Sequence, residues 1–329
     1  MLDHFANDDR PVLVIGRAGM DLYPDPPGSR TEDAAAFFSA LGGSSANIAV
    51  ALSRFGVKAE LITCVSDDAV GRYAVNQLRR YGVACDKVRS VRHDTRTSLA
   101  VVESRTEDHQ SVIYRNNAAD FAMDQSDLEG VDFRQFSALV VTGTCLTKDP
   151  SRTATLYALE VAQDLGLPTI MDLDYRPYSW ESASHAQQVY NQAVDLLDIV
   201  VGNDDEFGYM AGDYQKGQDF ARDLSVRGKY AIYKRGELGS CIYCPDGRSI
   251  ETGIFTVQPL KPTGAGDSFL GGFLASLRRR SSLEEALLDG SACAAMVVTR
   301  VGCAPAMPDL AELTNFRKTH RAQQRVIGE

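Results

Sequence analysis

Pro262-Thr263-Gly264-Ala265-Gly266-Asp267-Ser268-Phe269 is the most informative stretch of this 329-residue chain. Small residues run directly into a helical pattern in which Phe269, Leu270, Phe273, Leu274 and Leu277 share one apolar face. Gly264 and Gly266 let the backbone come close to a ligand, and the N–H groups of a first helical turn have no partner within the helix. Such a terminus favours an anion through those N–H groups and the helix dipole. Asp267 does not fit a site built only for a resting anion, because its carboxylate would repel phosphate. It fits a base beside a transferring phosphoryl group, taking the proton of a substrate hydroxyl. Taken alone, the eight residues read equally well as a plain helix cap preceded by loop glycines.

Outward from this stretch, short apolar runs at 12–15, 60–64, 138–142, 169–173, 198–201 and 230–233 alternate with helical patterns at 45–55, 69–81, 151–165, 187–197, 216–227, 267–277 and 283–300. Most of the apolar runs are continuous, which suits strands covered on both faces. The alternation predicts an α/β fold, a mainly parallel sheet with helices on both sides. Two stretches break the rhythm. Residues 17–41 carry Pro24, Pro26, Pro27 and Gly28; residues 92–115 hold an alternating segment, a polar turn and a second short run, the pattern of a hairpin. The expected organisation is a core of residues 12–16, 42–91 and 116–310, a small β lid of residues 17–41 and 92–115, and a C-terminal tail, 311–329, whose polar end frays.

Composition narrows the function classes. Hydrophobic residues make up 44% and charged residues 24%, as in an ordinary globular protein. Lys and Arg number 34 against 44 Asp and Glu, so the net charge is −10, which argues against a nucleic-acid binder. A small anionic substrate in a locally basic pocket stays open. Arg278-Arg279-Arg280 falls at an expected helix end, where it offsets the dipole. Seven scattered cysteines, an odd number, make no disulfide framework and read as cytoplasmic. Cys241 and Cys244 read as buried thiols of a strand rather than a zinc or redox pair. The acidic N-terminus MLDHFANDDR has no signal-peptide core, and no apolar run approaches the roughly 18 residues of a membrane span. There is no G-x-x-x-x-G-K-[ST]; the segment 14–19 lacks a full G-x-G-x-x-G; and G-x-S-x-G is absent. None of the five histidines pairs at metal-ligand spacing.

With these residues in view, the chain resembles the ribokinase-like (PfkB) carbohydrate kinases from about Val12 to Pro308. Gly42-Gly43-Ser44-Ser45-Ala46-Asn47-Ile48-Ala49, followed by Leu52 and Phe55-Gly56, is similar to the N-terminal signature of that family, and Gly264-Ala265-Gly266-Asp267 to its C-terminal one. The resemblance implies a ribokinase-like three-layer α/β/α fold with a small β lid, and an ATP-dependent sugar kinase using Mg²⁺. It implies that Asp21, Gly42, Gly43 and Asn47 hold sugar hydroxyls, and that Gly264, Ala265 and Gly266 form an anion hole beside the base Asp267. It further implies that Asn203 and Glu206 organise Mg²⁺ through water, and that Lys234, Gly236 and Gly239 lie near the nucleotide. Where the family usually has Asp-Thr at a monovalent-cation site, this chain has Lys261-Pro262. A cation beside an ammonium group would be repelled by several kcal/mol at low effective dielectric, so the Lys261 ammonium is expected to replace the ion.

Four further segments, 16–22, 114–120, 172–178 and 260–262, are similar to the members of the family that phosphorylate 5-dehydro-2-deoxygluconate in inositol catabolism. Arg115 follows the lid hairpin, and Arg176 follows the 169–173 run, where ligands collect at the carboxyl ends of strands. Two guanidinium groups near a sugar suit a carboxylate, which the planar fork binds bidentately. For each, a surface salt bridge is the competing reading. The alternatives are a 2-keto-3-deoxygluconate kinase, another sugar kinase such as a fructokinase or ribokinase, or a non-catalytic sugar or nucleotide sensor. An exposed lid face could also pair two subunits into a homodimer.

Overall fold

Alternate residues along each central strand point to opposite faces of the sheet, and here both sets are apolar. The computed structural model describes residues 2–92 and 94–323. Its elements in chain order are α1 (Leu2–Ala6), β1 (Val12–Ile15), β2 (Gly19–Asp25), β3 (Ala36–Gly42), α2 (Ser44–Arg54), β4 (Ala59–Ser66), α3 (Ala69–Arg80), β5 (Val88–Val91), β6 (Leu99–Val102), β7 (Ser111–Tyr114), β8 (Ala138–Thr142) and α4 (Ser151–Asp164). There follow β9 (Thr169–Asp172), α5 (Ala183–Asp195), β10 (Ile199–Asn203), α6 (Asp204–Ala211), α7 (Gly217–Val226), β11 (Tyr230–Lys234), β12 (Ser240–Tyr243), β13 (Ser249–Thr252), α8 (Ala265–Arg278), α9 (Leu283–Val298) and α10 (Leu310–Thr319).

Among the described residues, nine strands form one sheet in the order β13-β12-β11-β10-β9-β8-β1-β4-β5. Every pairing from β11 to β5 is parallel, and only β12 and β13 are antiparallel. Val12 and Val14 of β1 face one core with α2, α8 and α9, while Leu13 and Ile15 face a second core with α4, α5, α6 and α7. The result is the three-layer α/β/α arrangement that the strand–helix alternation predicts.

A separate sheet, β3-β2-β6-β7, is built from the two stretches that broke the rhythm. The expected hairpin is β6 and β7, paired antiparallel from Leu99–Tyr114 to Val102–Ser111. Tyr23, Ala40, Ala100 and Val102 form a small core of its own.

Helices α2 and α8 set the geometry of the site. Gly271 of α8 faces Ala51 of α2 so closely that a Cβ at 271 would lie 2.3 Å from the Ala51 Cβ. A helical glycine costs about 0.5–1 kcal/mol relative to alanine, and here it permits the contact. One turn nearer the N-termini, Asn47 meets Asp267. The two helices therefore run parallel, with both N-termini at the same end of the sheet.

The sequence reading misses three features. Residues 310–319, all but the first expected in the tail, form helix α10, whose Leu313 is buried and whose Phe316 ring packs 5.5 Å from Phe255. A capping box between Asp309 and Glu312 starts it. The last part of the expected tail, 324–329, lies outside the described residues. Helix α6 is short and follows β10 without a loop, so it leaves no separate apolar period. Strand β13 is the third: it pairs with β12, the strand expected around Cys241, and the two add an antiparallel edge to the sheet. The arginine run does end a helix: Arg278 closes α8, stacks on Phe5 and donates to its carbonyl, and Arg279 pairs with Asp289 at 3.0 Å. Cys241 and Cys244 are both buried, and burial pushes their thiol pKa values up. No described helix is long and apolar enough to cross a membrane.

Candidate active site

Ligands of open α/β sheets collect beyond the carboxyl ends of the parallel strands. At those ends β1 delivers Gly16 and Arg17, β9 delivers Asp172, Asp174 and Arg176, β10 delivers Asn203, and β11 delivers Lys234. The N-termini of α2 and α8 open onto the same edge. Helix α8 has Gly264 as its N-cap, in the left-handed region at φ 83°, and no side chain caps it. The first-turn amides are thus left for a ligand.

Asp267 is the third residue of α8 and does not cap its own helix. Its Oδ2 accepts a hydrogen bond from Asn47 Nδ2 at 2.8 Å. Burial pushes its pKa up to about 7, helped by the negative charges of Asp174 and Asp172 and opposed by Asn47 and Arg176. The carboxyl thus does not bond the amides of its own helix, as the plain-cap reading would have it, but faces the Asn47 amide and the charged side chains around it.

Around it stands a buried, mixed-charge cluster. Lys234 Nζ lies 3.6 Å from Asp172 Oδ2 and close to Gly266, where a Cβ would sit 3.2 Å from it. Burial works against the Lys234 charge, but Asp172, Glu206 and Asp267 together raise its pKa. Burial raises Asp172, with Lys234 opposing. Burial likewise pushes Glu206 up to about 7, against Lys234 and with Asp172. Asp174 is held at φ 36°, a costly conformation for a non-glycine residue. There its N–H donates to Asp172 Oδ1 (3.1 Å) while Ser44 Oγ donates to its Oδ2 (2.6 Å).

The expected sugar-side residues come together at the joint between lid and core. The Asp21 carboxylate lies over Gly42, where a Cβ would sit 1.9 Å from Oδ1. Gly43, at φ 97°, lets the chain pass the Arg17 carbonyl, which a Cβ would approach to 2.4 Å. Asn47 Oδ1 is buried with no hydrogen-bond partner, so an acceptor is left over beside Asp267.

The two expected carboxylate-binding arginines are both neutralised within the protein. Arg115 is buried and pairs with Asp120, which its Nε meets at 3.2 Å, and it donates to the Thr144 carbonyl at 3.0 Å. Its guanidinium stacks 4.2 Å from the centre of the Phe121 ring. Arg176 is partly exposed and pairs with Asp174 at 2.7 Å. Asn203 and Glu206 form a reciprocal capping box at the start of α6: the Glu206 N–H donates to Asn203 Oδ1, and the Asn203 N–H to Glu206 Oε2, both at 2.8 Å. Gly236 and Gly239 shape the turn between β11 and β12. A Cβ on Gly239 would lie 2.0 Å from the Thr252 carbonyl oxygen, so that glycine serves strand packing.

Lys261 is fully buried under the glycine loop. Its Nζ donates to the Thr263 carbonyl at 2.6 Å and reaches the Val297 carbonyl at 3.4 Å. Burial lowers its pKa, with Cys303, Asp267 and Asp21 opposing. Sequence reasoning passed over Tyr23 and Cys303. The Tyr23 hydroxyl donates to Asp21 Oδ2 at 3.1 Å and lies 3.4 Å from Cys303 Sγ, which itself backs Gly264. No spacing signal links residues 280 positions apart.

The pfkB family carbohydrate kinase profile matches residues 9–310 of the chain. The chain is 40% identical over 318 residues to a 5-dehydro-2-deoxygluconokinase of Photobacterium profundum, covering 94% of this chain and 96% of that protein. It is 34% identical over 320 residues to one from Bacillus thuringiensis, covering 95% and 96%. Its backbone is similar to that of the fructokinase from Vibrio cholerae O395, solved in a fructose, ADP and calcium ion bound form. That match has a TM-score of 0.82 and 24% identity, and it covers 94% of this chain and 99% of that one.

With Asp267 as the base, only its ionised form works. The kcat/KM profile is therefore expected to fall about tenfold per pH unit below pH about 7 and to level off above it. Asp174→Asn removes a neighbouring negative charge and should move that limb to lower pH. Asp267→Asn should lower kcat by at least ~10²-fold. Steady-state rates across the range check all three, and near-normal turnover of Asp267→Asn would remove this residue from the chemistry.

Proposed function

The chain belongs to the pfkB family of carbohydrate kinases and is an ATP-dependent sugar kinase, and on that premise we propose that it phosphorylates the terminal hydroxyl of the acid sugar 5-dehydro-2-deoxygluconate. The observation that carries the mechanism is the half-buried Asp267 carboxyl at an uncapped helix N-terminus, hydrogen-bonded by Asn47 and tuned to about 7.

Asp21 and Asn47 hold and orient sugar hydroxyls, with the free Asn47 Oδ1 as acceptor. Asp267 takes the proton of the terminal hydroxyl as its oxygen attacks the γ-phosphorus. The new O–P bond forms as the bond to the β-phosphate oxygen breaks, and ADP leaves. The amides of Gly264, Ala265 and Gly266 take up the developing negative charge, as a fixed donor set does without having to reorganise. Lys234, held protonated by its acidic neighbours, adds positive charge beside Gly266. Gly236 and Gly239 border the nucleotide. The β lid closes over the sugar and keeps water from the phosphoryl group.

The site suits a divalent cation carried by the nucleotide. Asp172 Oδ2 is buried without a hydrogen-bond partner, and Glu206 retains lone pairs beyond those used by backbone N–H groups. Asn203 and Glu206 would hold Mg²⁺ through water, and the ion would neutralise charge on the phosphates.

The carboxylate of the sugar is met by Arg115 and Arg176. Both are already ion-paired, so they serve as oriented donors. A coupled ADP-release assay on 5-dehydro-2-deoxygluconate, 2-keto-3-deoxygluconate, fructose and ribose tests the substrate, with the first expected to have the highest kcat/KM. In the same assay Arg176→Ala should raise KM for the acid sugar far more than KM for ATP. Preference for a neutral sugar would overturn the acid-sugar reading.

Lys261 takes the place of a monovalent cation. Its ammonium already rests on the Thr263 and Val297 carbonyls at the root of the glycine loop. Turnover should be unchanged when K⁺ is replaced by a bulky organic cation, and strong activation by added K⁺ would refute this.

A second copy of the chain covers the outer face of the lid. Met20, Leu99 and Tyr114 stand in one row across three strands, and Leu22, Val101 and Val112 in the next. All are half-buried or exposed, an apolar face suited to pairing with itself. Sedimentation should show a dimer at micromolar concentration and a monomer for Val112→Glu/Tyr114→Glu; a monomeric wild type would end the proposal.

A further inference from the structure

We propose that Arg17 supplies the net positive charge that meets the substrate carboxylate, and so decides acid sugar over neutral sugar. This rests on the acid-sugar reading above and names the residue that enforces it.

Arg17 lies just past the carboxyl end of β1 and before the lid strand β2. The residue is 9% exposed. Its carbonyl accepts the Ala46 N–H at 3.2 Å on the first turn of α2. The next residue, Asn47, holds Asp267. Arg17 is therefore joined to the base through a single helical turn, on the sugar side of the site.

Its guanidinium has little company. Nη1 donates to Ser98 Oγ at 3.2 Å. Nε is buried and has no hydrogen-bond partner. Among the described residues, no carboxylate oxygen lies within 4.0 Å of it. Asp21 is near enough to feel its charge but is not in contact, and the Asp21 carboxylate is held over Gly42 by the Tyr23 hydroxyl.

The contrast with Arg115 and Arg176 decides the matter. Those two are balanced by Asp120 and Asp174. A guanidinium stays charged in any protein environment, and a buried charge without a partner is costly. Arg17 is thus the buried arginine whose charge and Nε–H are left for an anion from outside the chain. A carboxylate supplies both, through charge-assisted hydrogen bonds along the Nε edge of the fork. A neutral sugar would leave the charge uncompensated, so the same feature that favours the acid penalises its competitor.

The test compares 5-dehydro-2-deoxygluconate with its analogue in which the carboxylate is reduced to a primary alcohol, at saturating ATP. Wild-type enzyme is expected to prefer the acid. Arg17→Gln should lower kcat/KM for the acid by at least about tenfold while leaving the alcohol unchanged or improved, so the preference collapses. Arg17→Lys, which keeps the charge without the fork, should retain part of it and serves the same comparison if the glutamine variant fails to fold. KM for ATP should not move. An equal loss on both compounds marks a purely structural arginine and overturns the inference, as does an undiminished preference. A wild type that does not distinguish acid from alcohol overturns the acid-sugar reading itself, whereas discrimination that survives in both variants overturns only the role of Arg17.

Discussion

The close approach of two parallel helices, α2 and α8, is the constraint on which the site depends. It needs a residue without a side chain at Gly271, packed against Ala51. One turn away, the same packing brings Asn47 from the first third of the chain to Asp267 near its end. It also aims two helix N-termini at one patch of space. The positive ends of both dipoles and the uncapped amides after Gly264 then open onto the same patch. Small residues are therefore needed in the helix contact as much as in the loop.

Charge balance is the second theme. Asp172, Asp174 and Glu206, all buried, gather with the half-buried Asp267 around Lys234 and the partly exposed Arg176. Crowded carboxylates raise one another's proton affinity, and the cations restrain that rise. The outcome at Asp267 is a carboxyl whose pKa is raised to about 7, so that it loses its proton as the pH rises through neutrality. On the far side of the glycine loop, Lys261 is buried on two main-chain carbonyls, where it braces the turn that precedes α8. The lid brings its own acidic group, Asp21, fixed by Tyr23. It is joined to the core through Arg17, whose positive charge has no contacting counterpart among the described residues. The charged groups of the site are thus either paired internally or left facing the space where a charged sugar or a triphosphate would lie.

Much of this architecture was legible in the chain. The apolar runs at 12–15 and 138–142 are strands with those bounds, because strands buried on both faces leave no polar interruption. The hairpin of β6 and β7 followed from alternation around a polar turn. Helix α10 leaves a faint period because Leu310 is exposed and Leu313 is its one buried residue. Helix α6 was lost because Asn203 caps it directly from β10. The glycine loop and Asp267 stood out in sequence, but whether the carboxyl capped its own helix did not, since both arrangements use the same spacing.

The sequence by itself determined the layered α/β class, the two-segment lid, the helix that starts at the glycine loop, and the kinase family that those motifs mark. These are local properties: period, turn chemistry and the run of small residues are fixed by neighbours along the chain. Tertiary structure alone decided which arginine is free. Arg115 and Arg176 stand out in the sequence as carboxylate-binding candidates, but only the fold puts Asp120 and Asp174 beside them; Arg17, in the sequence just one residue of the 16–22 segment, is left by the fold without a contacting carboxylate among the described residues. Electrostatic pairing depends on distance through space, and β1, α2 and the lid meet only after the whole sheet has formed.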